Sequence, residues 1–454
     1  MKKLKVHIKT YGCQMNKYDS DLVKSLLTSK DMLITDNEKE ADVIILNTCS
    51  VREKAENKII NKLQVLINSL KKDNTHIKIG IMGCMAQRIG KYLIKKMPKL
   101  DFAVGVNQIL KIPEIIQYNN YKDIDTLLSF DSELQYNSSL TANPTIYSGR
   151  IEDYIAVMRG CNMFCTYCIV PYVRGREKSR SIEDIIKEIS LKVKYGLREV
   201  TLVGQNISAY GKDLIDKDFD YKTSLLPELL KKVHQIESLE RIKFISAHPY
   251  FFDDELINTI SNSEKISKNI HLVLQSGSNK ILTQMNRKYD VKMYLNVINK
   301  LKSKINDIKF STDIIVGFPN ETEEDFESTR NVFNNVKYDN AYIFMYSPRE
   351  GTMAIKKYED NIPLNIKKRR NQILLNDLKR NIFQSNNNLI GKELNVLIKE
   401  QNNDNGISTY TGEALNGKII KITTKKTTNI IGNIAQVYIE NFKANTLFGK
   451  MIDQ

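Results

Sequence analysis

The sequence predicts an α/β protein in three parts: an open parallel sheet, a partial barrel of parallel strands, and a small all-β barrel. Two stretches alternate strand-like and helix-like patterns, and the end of the chain carries short strands with no helical period. At 454 residues the chain exceeds what one hydrophobic core organises, and domains of about 100–200 residues imply roughly three of them.

In the first stretch, residues 4–10 (LKVHIKT), 42–47 (DVIILN), 77–82 (IKIGIM) and 102–106 (FAVGV) are short apolar runs rich in β-branched side chains. Between them, SDLVKSLLTSKDM and VREKAENKIINKLQVLINSLKK carry apolar residues at three- and four-residue spacing, as helices do. This places an open parallel-sheet domain at 1–118. Residues 119–148 are polar, with Asn and Ser clusters and a Pro, and read as a linker.

A second alternating series follows at 149–380, with strands near 154–158, 199–203, 241–246, 270–275, 309–315 and 341–346. Six βα units suffice for an open barrel, (βα)6, whose active site lies at the C-terminal strand ends. A basic amphipathic stretch, IKKRRNQILLNDLKRNIF at 366–383, leads into 381–454. There ELNVLIK, GISTYTGEA, KIIKITT, AQVYIENF and LFGKMI predict a five-stranded barrel.

Apolar residues make up 41% of the chain, and no run of about 18 lacks charges, so no membrane span is expected. The start, MKKLKVHIKTYG, lacks the apolar run of a signal peptide and reads as a strand, so the cytoplasm is the expected location. Thiols are kept reduced there, and six cysteines point to metal binding or catalysis before disulfides. A formal charge of +15 favours a polyanionic partner, although Lys is used heavily throughout the chain.

Three cysteines, Cys161, Cys165 and Cys168, lie within eight positions in RGCNMFCTYCIVPYVRGRE. The C-x3-C-x2-C spacing lets one loop wrap three thiolates around a cubane cluster, one per iron, leaving the fourth iron open. CTYC by itself is a zinc half-site, but a structural zinc needs a fourth ligand and no Cys or His lies nearby. The other three, Cys13 in TYGCQMN, Cys49 in LNTCSVREKAE and Cys84 in MGCMAQR, each fall at or just past a predicted strand end of the first domain. In an open α/β sheet those ends line one crevice, which makes the three cysteines candidate ligands of a second cluster.

CNMFCTYC, with Tyr167 before its last cysteine, resembles the signature loop of the radical S-adenosylmethionine enzymes. TYGCQMNKYDS, NTCSVREKAE and GCMAQR resemble the N-terminal domain of the methylthiotransferases within that superfamily, and the domain order matches, ending in a TRAM barrel. VGQNISAYG, LQSGSNKIL, DIIVGFPNETEEDF and YSPREGT extend the resemblance along the chain. Val273 and Ala247 stand where the family commonly has Pro, beside strand ends. CQMN, CSVREKA and VPYVRGRE look like the branch acting on N6-isopentenyladenosine in tRNA.

The resemblance implies two [4Fe-4S] clusters, on Cys13, Cys49 and Cys84 and on Cys161, Cys165 and Cys168, and two molecules of S-adenosyl-L-methionine per turnover. It implies methylthiolation of C2 of the base at position 37, next to the anticodon. The rival substrates are threonylcarbamoyladenosine tRNA and a ribosomal protein; the rival class is an iron–sulfur RNA-binding or redox-sensing protein. Gln205, Gln275 and Asp313, near barrel strand ends, are candidate S-adenosylmethionine contacts. Arg174, Arg176, Arg349, Lys367, Lys368, Arg369 and Arg370 are candidate phosphate contacts, and Tyr346 a candidate stacking platform. The expected partners are isopentenylated tRNA, an electron donor and a sulfur source, with the chain acting as a monomer.

Overall fold

The computed structural model describes residues 3–50, 53–73, 76–118, 127–130, 141–215, 223–404, 407–424 and 429–452. The chain divides into two compact units, one of residues 1–148, 154–164 and 168–192, the other of residues 149–153, 165–167 and 193–454. The cysteine-bearing loop is divided between them, with Cys161 and Cys168 in the first unit and Cys165 in the second.

In the first unit, β1 (Lys5–Thr10), β2 (Leu33–Ile34), β3 (Val43–Thr48), β4 (Lys78–Gly83) and β5 (Phe102–Val104) form an all-parallel sheet in the order β2–β1–β3–β4–β5. Every residue of β3 is buried. Val43 and Ile45 enter one apolar core while Ile44 and Leu46 enter the other, so both faces are covered and the strand reads as an unbroken apolar run. The two residues of β2 are too few to show a period, and sequence reading missed that strand. Leu127, within the predicted linker, is buried in the first of these cores, and Gln87 donates to the Leu128 carbonyl.

The strand β6 (Glu152–Ala156) is followed by the antiparallel pair β7 (Met158–Arg159) and β8 (Lys178–Ser179). The helix Ile182–Lys194 buries Glu188, which pairs with Arg180 at 2.7 Å and Lys192 at 3.0 Å. Tyr18 donates to the same carboxylate at 3.1 Å, tying in the helix Gln14–Ser29 that follows Cys13.

The second unit carries β9 (Glu199–Val203), β10 (Arg241–Phe244), β11 (Asn269–His271), β12 (Lys309–Val316) and β13 (Asn340–Met345). Its strands form the sheets β10–β9–β6 and β11–β12–β13, joined by the parallel bridges Ile242↔Ile266 and Ala247↔Leu272. The six strands predicted for the open barrel are therefore present in chain order. β10 and β11 end earlier than their apolar runs suggest, although Gln275 (φ 65°), beyond β11, still pairs with Ile314 as an isolated parallel bridge.

After the helix Leu364–Asn387, β14 (Glu393–Asp404), β15 (Ile407–Ala414), β16 (Ile419–Thr424), β17 (Ile434–Lys443) and β18 (Thr446–Met451) close a barrel in the order β14–β15–β16–β18–β17. Alternate residues point inward, among them Val396, Ile398, Tyr410, Ile420, Ile422, Val437, Ile439 and Leu447, all fully buried. Closure leaves no sheet edge, which lets a small all-β element stand. Lys399 of β14 pairs with Glu152, Glu199 and Glu413 at 2.6–2.7 Å, and Lys243 pairs with the last two, at 2.8 and 2.6 Å.

Among the described residues, no helix is long and apolar enough to cross a membrane.

Candidate cluster and cofactor sites

Cys13, Cys49 and Cys84 follow β1, β3 and β4, three adjacent strands of the first unit's sheet, at the C-terminal ends. Cys13 is the N-cap of one helix and Cys84 the first residue of another. Helix N-termini favour a thiolate. Two glycines make room. At Gly12 (φ 131°) a Cβ would stand 2.6 Å from Cys49 Cβ, and at Gly83 (φ 97°) one would stand 2.7 Å from the Thr48 carbonyl oxygen. Only glycine brings the chain this close to the neighbouring strand end in that conformation.

Beneath the sulfurs lies a buried polar network. Arg174 donates through Nε to Cys84 Sγ at 3.1 Å and through Nη2 to Asn16 Oδ1 at 3.2 Å and Asp19 Oδ2 at 3.1 Å. Arg159 pairs with the other oxygen of Asp19. Asn16 in turn donates to Asn47 Oδ1 and the Thr48 carbonyl, and the Cys13 thiol donates to Asn16 Oδ1 at 3.3 Å. Two buried arginines thus meet at Asp19, and a thiolate at Cys84 would lie directly against the Arg174 guanidinium. Burial pushes the Cys84 thiol up, Arg174 pulls it down, and the Cys13 thiol adds to the rise. The donor set, the glycine cradle and the Arg174 guanidinium against Cys84 fit an anionic, thiolate-held cluster.

The loop with the other three cysteines is pinned at several points. In the first unit, Cys161 N–H donates to the Gly175 carbonyl at 3.2 Å, Asn162 N–H donates to Glu177 Oε1 at 3.0 Å, and Arg176 lies 4.4 Å over the Phe164 ring. Phe164 itself has φ 47°. In the second unit, Thr166 N–H and Oγ1 donate to the carbonyls of Met285 and Gln284, and Ala354 N–H donates to the Thr166 carbonyl at 2.7 Å. Arg287 Nη1 reaches Cys165 Sγ at 3.2 Å. Among the described residues, no three His, Cys, Asp or Glu side chains converge to hold a single metal ion. A cubane takes one thiolate per iron, so its ligands surround one site while standing farther apart than those of a single ion.

Strand ends of the second unit carry buried polar atoms without a hydrogen-bond partner: Asn206 Nδ2, His248 Nε2 and Gln275 Oε1. Such atoms cost about 1–3 kcal/mol each unless a ligand pairs them, so they fit a polar cofactor. They are linked. Ser208 Oγ donates to Asn206 Oδ1 and accepts from His248 N–H, the His248 ring stands edge-on to Tyr289 at 5.2 Å, and Arg287 Nε donates to Tyr289 Oη at 3.2 Å. Burial, with Arg287 adding to it, holds the His248 pKa well below its ordinary value, so the ring is neutral.

One face of β11–β12–β13 is only partly covered. Thr312, Ile314 and Val316 are buried on the opposite face, whereas Asp313, Ile315, Tyr342 and Phe344 are partly or well exposed. Parallel sheets are ordinarily covered on both faces, which marks this one as a place for a ligand. Asp313 pairs with Tyr342 in register, its carboxylate stands 3.5 Å from His271 Nε2, and the Tyr342 and Phe344 rings are stacked at 6.5 Å.

Of the residues expected to contact S-adenosylmethionine, Gln275 and Asp313 are brought together, with Gln275 N–H donating to the Asp313 carbonyl at 2.8 Å. Gln205 lies in the turn after β9, and Asp313 lies within β12 and not past its end. Several phosphate candidates are corrected. Arg174 is buried on Cys84, Lys367 pairs with Asp360 at 2.5 Å, and Arg370 pairs with Glu321 at 2.7 Å. Lys367 and Arg370 stand three residues apart on the inward face of their helix, so their charges are satisfied internally. Tyr346 is buried against Phe318 and Lys367 and presents no open ring. Lys368, Arg369 and Arg176 are exposed.

Residues 5–105 match the uncharacterized protein family UPF0004, and residues 155–333 match the radical SAM superfamily. A tRNA-2-methylthio-N(6)-dimethylallyladenosine synthase of Thermosipho melanesiensis is 42% identical over 449 residues, covering 99% of both chains. The chain belongs to the family of the tRNA-2-methylthio-N(6)-dimethylallyladenosine synthases. A synthase of the same name from Clostridium perfringens is 39% identical over 98% of this chain and 97% of its own. Among solved structures, the radical S-adenosylmethionine methyltransferase TsrM of Kitasatospora setae, with cobalamin and a [4Fe-4S] cluster bound, aligns with a TM-score of 0.54. It covers 78% of this chain and 74% of its own at 10% identity, a likeness of fold. Among the polar residues around the cysteines and strand ends, Arg287, His248, Asn206, Asn16, Asp19 and Arg159 carry no spacing signal in the sequence of this synthase-family chain.

Proposed function

We propose that this chain attaches a methylthio group to C2 of N6-isopentenyladenosine at position 37 of tRNA, beside the anticodon, and that it works in the cytoplasm. The observation that carries this reading is full-length similarity to synthases of that name, together with two cysteine sets of three, one of them in a glycine-opened cradle. The C2–H is an unactivated aromatic bond that no side-chain base removes usefully at neutral pH, so a cofactor must perform the difficult step. Two [4Fe-4S] clusters with S-adenosylmethionine would supply a methyl group to sulfur and a carbon radical for the attachment.

Cys161, Cys165 and Cys168 hold one cluster, and Cys13, Cys49 and Cys84 the other, each with one iron left open. Gln205, Gln275 and Asp313 orient S-adenosylmethionine, and the orphaned Gln275 Oε1 and His248 Nε2 have hydrogen-bonding capacity to offer it. His248 Nδ1 accepts from Tyr250 N–H, which places the proton of the neutral ring on Nε2 and makes that atom a donor. Tyr342 and Phe344 stack a base taken out of the anticodon loop, where unstacking costs less than in a duplex. The C-terminal barrel, residues 381–454, clamps the RNA, and an external electron donor and sulfur source complete the reaction.

Nucleoside mass spectrometry of tRNA from cells lacking this protein tests the substrate. We expect 2-methylthio-N6-isopentenyladenosine to vanish and its unthiolated precursor to accumulate. Unchanged levels, with loss instead of the methylthiolated threonylcarbamoyl nucleoside, would overturn the assignment.

A further inference from the structure

We propose that Arg287 is a positioning residue that sets the reduction potential of the cluster on Cys161, Cys165 and Cys168 through its hydrogen bond to the Cys165 sulfur. This rests on the cluster reading above.

Arg287, half-buried, differs from most of the buried arginines. Arg159 and Arg174 pair with Asp19, Arg180 with Glu188 and Arg370 with Glu321. The partners of Arg287 among the described residues are Cys165 Sγ at 3.2 Å, Tyr167 Oη at 3.5 Å and Tyr289 Oη at 3.2 Å, and none is a carboxylate. Its Nη2 is shut off from solvent with no partner. A guanidinium withdrawn from water is costly unless negative charge lies against it. The Cys165 thiolate is the one neighbour able to supply that charge.

The guanidinium is held in place from behind. Tyr289 Oη accepts from Arg287 Nε and reaches the carbonyls of Val273 and Leu274 at 2.9 and 2.6 Å, so the phenol fixes Arg287 against the segment after β11. A thiolate-ligated cluster becomes more negative when it takes up an electron, so a fixed cation at one sulfur favours the reduced form more than the oxidised one. Hydrogen bonds to cluster sulfurs and local charge are established levers on such potentials. Arg287 thereby makes the electron that starts the reaction easier to deliver.

The test uses the full-length protein carrying Cys13→Ala, Cys49→Ala and Cys84→Ala, so that a single cluster is titrated. After anaerobic reconstitution, iron per chain and the midpoint potential are measured without S-adenosylmethionine, by dithionite titration followed by electron paramagnetic resonance. With Arg287→Gln we expect unchanged iron and a potential shifted negative; with Arg287→Lys, which keeps the charge, a return towards the parent value. Full iron with the same potential in all three proteins overturns the inference. Failure of both variants to take up iron overturns it too, since Arg287 would then serve assembly. Absence of iron in the parent protein would instead sink the cluster assignment.

Discussion

Replacing Cys165 with alanine is expected to abolish release of 5′-deoxyadenosine from S-adenosylmethionine and to remove about four irons per chain, leaving the other cluster filled. A cubane with two thiolates in place of three has a second open iron and is readily lost. The change also strips Arg287 of its sulfur acceptor, leaving an enclosed guanidinium with only phenol oxygens beside it. An unpaired buried donor costs about 1–3 kcal/mol, so a lowered unfolding midpoint should accompany the lost activity. Cys165→Ser separates the two effects, because a hydroxyl still accepts from Arg287 while holding iron poorly. Iron and sulfide counts with product chromatography check both. Undiminished 5′-deoxyadenosine would remove Cys165 from the ligand set.

Cys84→Ala is expected to have the complementary outcome. The cluster on Cys13, Cys49 and Cys84 is lost and no methylthiolated product forms, while cleavage of S-adenosylmethionine at the other cluster continues. Arg174 would then keep Asn16 and Asp19 but lose Cys84, and Asp19 already serves Arg159. A stability loss on the order of 1–3 kcal/mol follows from the stranded Nε donor. Simultaneous loss of both clusters after this single change would show that the two sets are not independent.

The placement of the six cysteines was legible because cysteine spacing and strand ends are local signals. The loop at 161–168 declares itself within eight residues, and Cys13, Cys49 and Cys84 follow runs whose β-branched composition places the strands β1, β3 and β4 within a residue of where they lie. The five strands of the C-terminal barrel were likewise visible from alternation. What stayed hidden depends on contacts across the sequence. Arg174 meets Cys84 from 90 residues away and Arg287 meets Cys165 from 122.

A surplus of positive charge misdirected the reading of the basic residues, since a Lys or Arg in a basic chain looks the same whether it faces solvent, phosphate or a buried carboxylate. Lys367 and Arg370 turned out to be internal ion pairs, and Arg174 supports a cysteine. The partly open face bearing Tyr342 and Phe344 was equally invisible, because NAYIFM gives no sign of which alternate residues the helices cover.

One chain is expected to join both sulfur and a methyl group to C2 of an isopentenylated adenosine. Incubating the reconstituted protein with isopentenylated tRNA, reductant, sulfide and methyl-labelled S-adenosylmethionine, then digesting the tRNA to nucleosides for mass spectrometry, tests this. We expect a 2-methylthio-N6-isopentenyladenosine that carries the label, with 5′-deoxyadenosine released alongside it. A nucleoside methylated at C2 without sulfur, or unmodified nucleoside from protein with both clusters filled, would contradict it.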